Sequence, residues 1–286
     1  MIKVIASDMD GTLLNSEHRI SKENIEAIKK AQEKGVHFVI ATGRDYDGVE
    51  FLLKESGIEC ECVLMNGAEY RDKEGKIIEK INIDKTKATA IVDMIQDGGM
   101  SAEIFTNDGI YSTQNEDDAM KGFAYRMQSF EKGMTFEEAL EAVKTHRHFS
   151  GLKYIKDMDE FLKSSIEIRK IIAFYNDIDA IAKMKVKLET IDGLAVSSSF
   201  RDNIEVTDIS AQKGIILGRV VDKYGISRDD VIVLGDSFND YSMFKEFKNS
   251  YAMENAVPEI KEIATNITDT NDNAGVAKAI YRVLED

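Results

Sequence analysis

Apolar residues in this chain fall into short blocks that break abruptly into polar ones. "IKVIAS" (2–7), "VHFVIATG" (36–43), "ECVLMNG" (61–67) and "DVIVLGDSFND" (230–240) each read as a buried strand running into a loop. Between the first two lies "KENIEAIKKAQEKG" (22–35), an amphipathic segment with Ser21 as N-cap and Gly35 as terminator. Its apolar stripe is read as Ile25, Ile28, Ala31 and Gln32. A second helix is predicted over about 45–56. Strand, helix, strand is the alternation of a parallel sheet covered on both faces. "EYRDKEGKIIEK" (69–80) then reads as a hairpin turning at Lys73-Glu74-Gly75.

The pattern changes near Asp84. A helix over 86–97 leads to "AEIFTNDGIYST", which alternates around the hairpin signal Asn107-Asp108-Gly109. Thr135 and Glu138 stand in capping-box spacing before "FEEALEAVKT". A strand at "RKIIAFYND", a helix over about 177–191 and two strands around "LAVSSSFRDNIEVT" follow. Hairpins mixed with helices predict an antiparallel α+β insert over 84–207. The parallel-type pattern then resumes with the helix "KGIILGRVVDKYG", the strand at 230–240, "SYAM", "NIT" and a final helix. Pro258 is the only proline and there is no low-complexity linker, so short hinges are expected.

Composition narrows the function classes. The 286 residues are 43% hydrophobic, enough to bury a core, and no run approaches the length of a membrane span. Thirty-seven basic against fifty-two acidic side chains leave a net charge of −15. That charge argues against a nucleic-acid or anionic-membrane partner, and it requires local features to attract any phosphate ligand. The first residues enter a strand without a signal-sequence pattern, so a cytoplasmic location is expected. Cys60 and Cys62 read as strand residues in a reducing compartment.

Three apolar runs end in polar clusters: Asp8 and Asp10; Thr42, Gly43 and Arg44; Asp236, Asn239 and Asp240. Ligands of open parallel sheets sit at the carboxyl ends of the strands. If these strands are neighbours, four carboxylates (Asp8, Asp10, Asp236 and Asp240) converge and need a counter-ion. Hard oxygen donors in this number suit Mg²⁺, which pairs a few carboxylates with phosphate oxygens. Lys213, at a helix start after the insert, supplies a second positive charge, and Gly11 and Gly43 let the backbone present N–H groups.

"DMDGT", "ATGR", Lys213 and "GDSFND" together resemble the four motifs of the haloacid dehalogenase superfamily of phosphatases. Their order, the large insert and "NGA" at 66–68 are similar to its Cof-type branch. The resemblance spans the whole chain. It implies an α/β fold, a Rossmann-like parallel-sheet core over 1–83 and 208–286 with an inserted α/β cap over 84–207 that closes over the crevice. It further implies Asp8 as nucleophile and Asp10 as general acid/base, its backbone carbonyl rather than its side chain on the metal. Asp8 and Asp236 would bind Mg²⁺ directly and Asp240 through water. Thr42, Gly43, Lys213 and Asn239 would hold the phosphoryl group, with Arg44 and Asn66 near the substrate, a small phosphate ester such as a sugar phosphate.

Taken singly, each motif is also an ordinary strand end or acidic turn; their joint, ordered occurrence favours chemistry. Arg44 is divided between a substrate contact and an ion pair, and Asn66 between lining the site and closing a turn. His146 and His148 read as surface residues, and Phe123, Tyr125 and Phe130 as core of the insert. Two rivals remain open: a phosphomutase using the same aspartates, and a signalling or binding module phosphorylated on Asp. Oligomeric state is not encoded in any pattern found.

Overall fold

Strand β1 (Val4–Ser7) is buried along its whole length, as a strand covered on both faces must be. The computed structural model describes residues 1–130 and 133–285, the side chains of 129 and 130 excepted. Two compact units emerge: residues 1–81, 192–201 and 207–286 form the first, and 82–191 with 202–206 form the second. Residues 192–201, expected within the insert, thus group with the first unit.

After β1 come β2 (His37–Ala41), β3 (Glu61–Leu64), β4 (Glu69–Arg71) and β5 (Ile77–Lys80). The middle of the chain supplies β6 (Ser101–Thr106), β7 (Gly109–Ser112), β8 (Lys153–Tyr154), β9 (Ile168–Phe174), β10 (Leu194–Ser197) and β11 (Asn203–Asp208). β12 (Val231–Gly235), β13 (Ser250–Ala252) and β14 (Asn266–Ile267) complete the series. Among the described residues, the first unit's sheet has eight strands in the order β14-β13-β12-β1-β2-β3-β4-β5. β14 through β3 pair in parallel, while β4 and β5 are the antiparallel hairpin at one edge.

The helix Lys22–Glu33 starts at Ser21, whose hydroxyl accepts from the Asn24 N–H. Its buried face is Asn24, Ala27, Ile28 and Ala31, one step round from the expected stripe. Asn24 turns inward because both ends of its amide are used. Its Nδ2 donates to Leu13 O at 3.1 Å, and its Oδ1 accepts from Ala277 N at 2.9 Å. Ala277 lies in the first turn of the helix Gly275–Glu285, where N–H groups have no partner within the helix. A polar residue of one helix therefore caps another 253 positions away.

In the second unit, β11, β9, β6 and β7 pair antiparallel, and β8 joins β7 in parallel. The helix Glu116–Phe130, absent from the predicted elements, deeply buries, among its described side chains, only the small residues Ala119 and Ala124, and carries Gly122 in its interior. Tyr125, expected in the core, is 52% exposed. It lines a cleft of about 500 Å³ with Arg126, Phe174 and Tyr175. Phe123 is half-buried, and the Phe130 side chain lies outside the described residues. His148 is not a bare surface residue: its Nε2 lies 2.8 Å from Glu103 Oε2, and its ring stacks on Phe123. Burial pushes the Glu103 carboxyl up, but His148 and Arg126 outweigh it and bring it down to about 2. His146 is exposed as expected. Among the described residues, no helix is long and apolar enough to cross a membrane.

Asn24→Ala removes both amide partners and leaves a buried carbonyl and a helix-terminal N–H unsatisfied. The substitution is expected to lower the stability of the chain by about 1–3 kcal/mol, read as a lower urea midpoint.

Candidate active site

Sheet order decides where the polar clusters meet. From β1 the chain order runs outward to β2 and β3 on one side, and to β12, β13 and β14 on the other. The register places Ser7 opposite both Ile40 and Leu234. The loops leaving β1, β2 and β12 therefore share one edge at the switch point of the sheet, the standard ligand position in this architecture. Asp8 N still bonds Leu234 O at 3.0 Å, and Thr42 N bonds Val63 O at 2.8 Å, so both residues are fixed by the ends of the ladders.

Lys213 is completely buried. Its Nζ donates to Asp8 Oδ1 at 2.6 Å and to Asp240 Oδ1 at 2.7 Å. The ammonium reaches this position because the helix Lys213–Lys223 lies backbone-close to the helix Tyr241–Glu246. A Cβ at Gly214 would collide with the Ser242 carbonyl, and Gly214 N donates to Ser242 Oγ at 2.9 Å. Burial disfavours the charged amine, but Asp240 and Asp8 more than compensate and raise its pKa above the ordinary lysine value.

Asp8, Asp236 and Asp240 bring carboxylate oxygens within 4.8 Å of one another. Asp236 is held by Thr12 Oγ1 (2.8 Å) and Ser237 Oγ (2.9 Å), while Asp240 Oδ2 accepts the N–H groups of Asp236 and Ser237. Gly11 makes room: at φ +77°, a Cβ there would sit 2.5 Å from Asp236 Oδ2. Thr12 and Ser237 were not singled out from the sequence as holding Asp236. Hydroxyl residues directly after Gly11 and Asp236 were the available signal.

Asp10 stands apart from this trio, so its side chain is not one of the clustered carboxylates. Arg44 grips it with Nε on Oδ2 at 2.7 Å and Nη2 on Oδ1 at 2.6 Å. Burial pushes Asp10 up, but the Arg44 hydrogen bonds and charge prevail and hold it below the usual carboxylate range. Thr42 is buried, and its Oγ1 accepts the Arg44 N–H at 3.2 Å, which leaves its own O–H to donate elsewhere. Gly43 is half-buried between them.

Asn66 and Asn239 also meet here. Asn239 Nδ2 donates to Asn66 Oδ1 at 3.3 Å, and the buried Asn239 Oδ1 has no partner among the described residues. Met65, Asn66 and Gly67 are consecutive residues with φ of 48°, 58° and 101°. This costly backbone is tied to the 42–44 loop by Met65 N to Arg44 O and Asn66 N to Thr42 O, each 2.9 Å. The expected site residues from 8 to 240 thus lie in one neighbourhood of the first unit, and Arg44 is seen in an ion pair with Asp10.

The trio fits a cation. Three carboxylates and one ammonium leave two negative charges, the amount a divalent ion brings, and the donors are all oxygens. Burial, reinforced by Asp240, pushes Asp8 well above its ordinary value, and the same causes push Asp236 up to about 7.

Comparison with known proteins adds a family context. Residues 5–280 match the haloacid dehalogenase-like hydrolases. The chain is 33% identical over 290 residues to Phosphatase YwpJ of Bacillus subtilis (strain 168), covering 99% of this chain and 100% of that one. It is 32% identical over 283 residues to the same organism's 5-amino-6-(5-phospho-D-ribitylamino)uracil phosphatase YwtE, covering 99% and 98%. A solved haloacid dehalogenase-like hydrolase from B. subtilis superposes with a TM-score of 0.87 at 31% identity, over 99% of this chain and 100% of that chain.

Two outcomes are expected. Between the ordinary value of 3.8 and about 7, Asp236 holds more proton in the folded than in the unfolded chain, so cation-free stability falls as pH rises through that window. A bound divalent ion relieves this, so the Tm rise on adding Mg²⁺ should be larger near pH 8 than near pH 5 in thermal melts. Gly11→Ala forces a side chain into Asp236 at a positive φ and should remove most of that Mg²⁺-dependent rise.

Proposed function

The chain belongs to the haloacid dehalogenase-like hydrolases, and we propose that it is a Mg²⁺-dependent phosphatase of small phosphomonoesters working through an aspartyl-phosphate on Asp8. The observation that carries this reading is the buried Lys213 ammonium shared by Asp8 and Asp240 beside Asp236 at the switch point of the sheet.

Lys213 holds Asp8 Oδ1 and fixes the carboxylate at the end of β1. Asp8 attacks phosphorus, the bond from phosphorus to the ester oxygen breaks, and Asp10 gives that oxygen its proton, releasing the alcohol. Asp10, now a carboxylate, takes a proton from water. The water oxygen attacks phosphorus, the bond to Asp8 breaks, and inorganic phosphate departs. Arg44 favours the carboxylate form, the form needed for this second step; the negative charge of a bound ester would push Asp10 toward the protonated form needed for the first.

The Thr42 hydroxyl, the half-buried Gly43 and Lys213 are assigned to the phosphoryl oxygens. Asn239 joins them through an amide oxygen and nitrogen placed beside Asn66. Asp8, Asp236, Asp240 and the Asp10 backbone carbonyl would hold Mg²⁺, which would supply positive charge to a reaction that depends mostly on positioning. The second unit, residues 82–191 with 202–206, is assigned the choice of leaving group. Of the two phosphatases named above, one is by its name a 5-amino-6-(5-phospho-D-ribitylamino)uracil phosphatase, which supports a small phosphate-ester substrate.

Phosphate release across a panel of sugar phosphates and related metabolites, with and without Mg²⁺, tests the reading. Isomer interconversion without phosphate release would point instead to a phosphomutase, and a long-lived phosphorylated protein to a signalling module. Asp8→Asn is expected to cost about 10³-fold or more in kcat. Its Tm without Mg²⁺ should not fall, because the change removes one of the crowded buried charges while Lys213 keeps Asp240.

A further inference from the structure

We propose that Arg44 is a positioning residue: it fixes the Asp10 carboxylate in the plane from which the proton reaches the ester oxygen, and keeps that carboxylate out of the Asp8–Asp236–Asp240 group. This inference rests on the reading of Asp10 as the residue that hands over the proton.

The geometry is two-pronged. Nε and Nη2 each take one oxygen of Asp10, which sets both the direction and the rotation of the carboxylate, while Nη1 reaches Gly48 O at 3.3 Å. All three guanidinium nitrogens are therefore engaged. Gly48 is itself anchored, its N–H donating to Asp45 Oδ1 at 3.0 Å. The Arg44 backbone is fixed at both ends, with N on Thr42 Oγ1 and O on Met65 N. A lysine could neutralise Asp10 but could not fix its rotation.

Charge explains why the clamp is needed. Asp10 is two residues from Asp8, and the trio already carries two more negative charges than positive ones. A mobile fourth carboxylate would be drawn to any cation bound there and would compete for it. Paired with Arg44, Asp10 forms a locally neutral unit. Thr42 and Arg44 flank Gly43, so one three-residue loop sets the spacing between the phosphoryl contact and the proton donor.

The test compares two esters in the Mg²⁺-loaded full chain. Glycerol 2-phosphate needs a proton on its leaving alkoxide; p-nitrophenyl phosphate releases a stable phenolate that does not. In single turnovers, Arg44→Ala should slow glycerol release from the first by about 10²-fold with KM within a factor of about three, and nitrophenolate release from the second by no more than about threefold; the later hydrolysis at Asp8, which also uses Asp10, is common to both and slows alike. Guanidinium ion added to that variant should restore part of the lost alkyl-ester turnover. Arg44→Lys, which keeps the charge without the fork, should show the same selective loss and guards against a failure of Arg44→Ala to fold. Equal slowing of the two leaving-group release steps, or a rise in KM alone, would overturn the positioning role. Wild-type protein releasing phosphate from neither ester would overturn the phosphatase reading, and the positioning role with it.

Discussion

The Lys213 ammonium, sealed from solvent between Asp8 and Asp240, is the interaction on which the rest of the site depends. Taking three ionised groups out of water is costly, and the arrangement persists only while each keeps its partners. Deleting the cation would leave two carboxylates facing each other with Asp236 beside them. Placing it requires a helix to lie backbone against backbone on its neighbour, which is why glycine occupies 214. Packing far from solvent thereby sets the electrostatics of a site that works on an anion.

Around that cation the molecule separates two kinds of carboxylate that are only two positions apart in sequence. Asp8 enters a group short of positive charge, with its pKa driven up; Asp10 enters a matched pair, with its pKa driven down. Groups whose surroundings push them in opposite directions are suited to different roles in one reaction. The same environment that makes the trio unfavourable alone suits it to hold a metal ion.

Much of this was legible from residue order. The runs ending at Asp8, Thr42 and Asp236 announced strands whose tips carry chemistry, and their adjacency in the sheet makes those tips converge. Lys213 was readable as a charge at a helix start. Its burial was not, since that follows from the contact at Gly214. Asn24 was hidden because a polar residue on a helical stripe looks like the solvent face, until its amide finds two backbone partners. The helix Glu116–Phe130 was hidden because its buried positions are alanines, which give a weak apolar period, and Gly122 interrupts its propensity. Residues 192–201 were placed in the insert by sequence continuity, whereas their partners lie with the first unit: Asn239 N bonds Ser198 O, and Ser237 Oγ bonds Ser199 O.

The central strand β1 has its two neighbours at very different distances along the chain: β2 follows soon, but β12 arrives with the segment containing Asp236, 224 residues beyond Thr12. On a ribosome adding about 5–20 residues per second, one edge of this fully buried strand would wait roughly ten to forty-five seconds for its mate. A naked edge of this kind is a template for wrong pairing. Nascent molecules of this protein are thus most exposed to aggregation, and most in need of a chaperone, during the interval in which the intervening unit is being made.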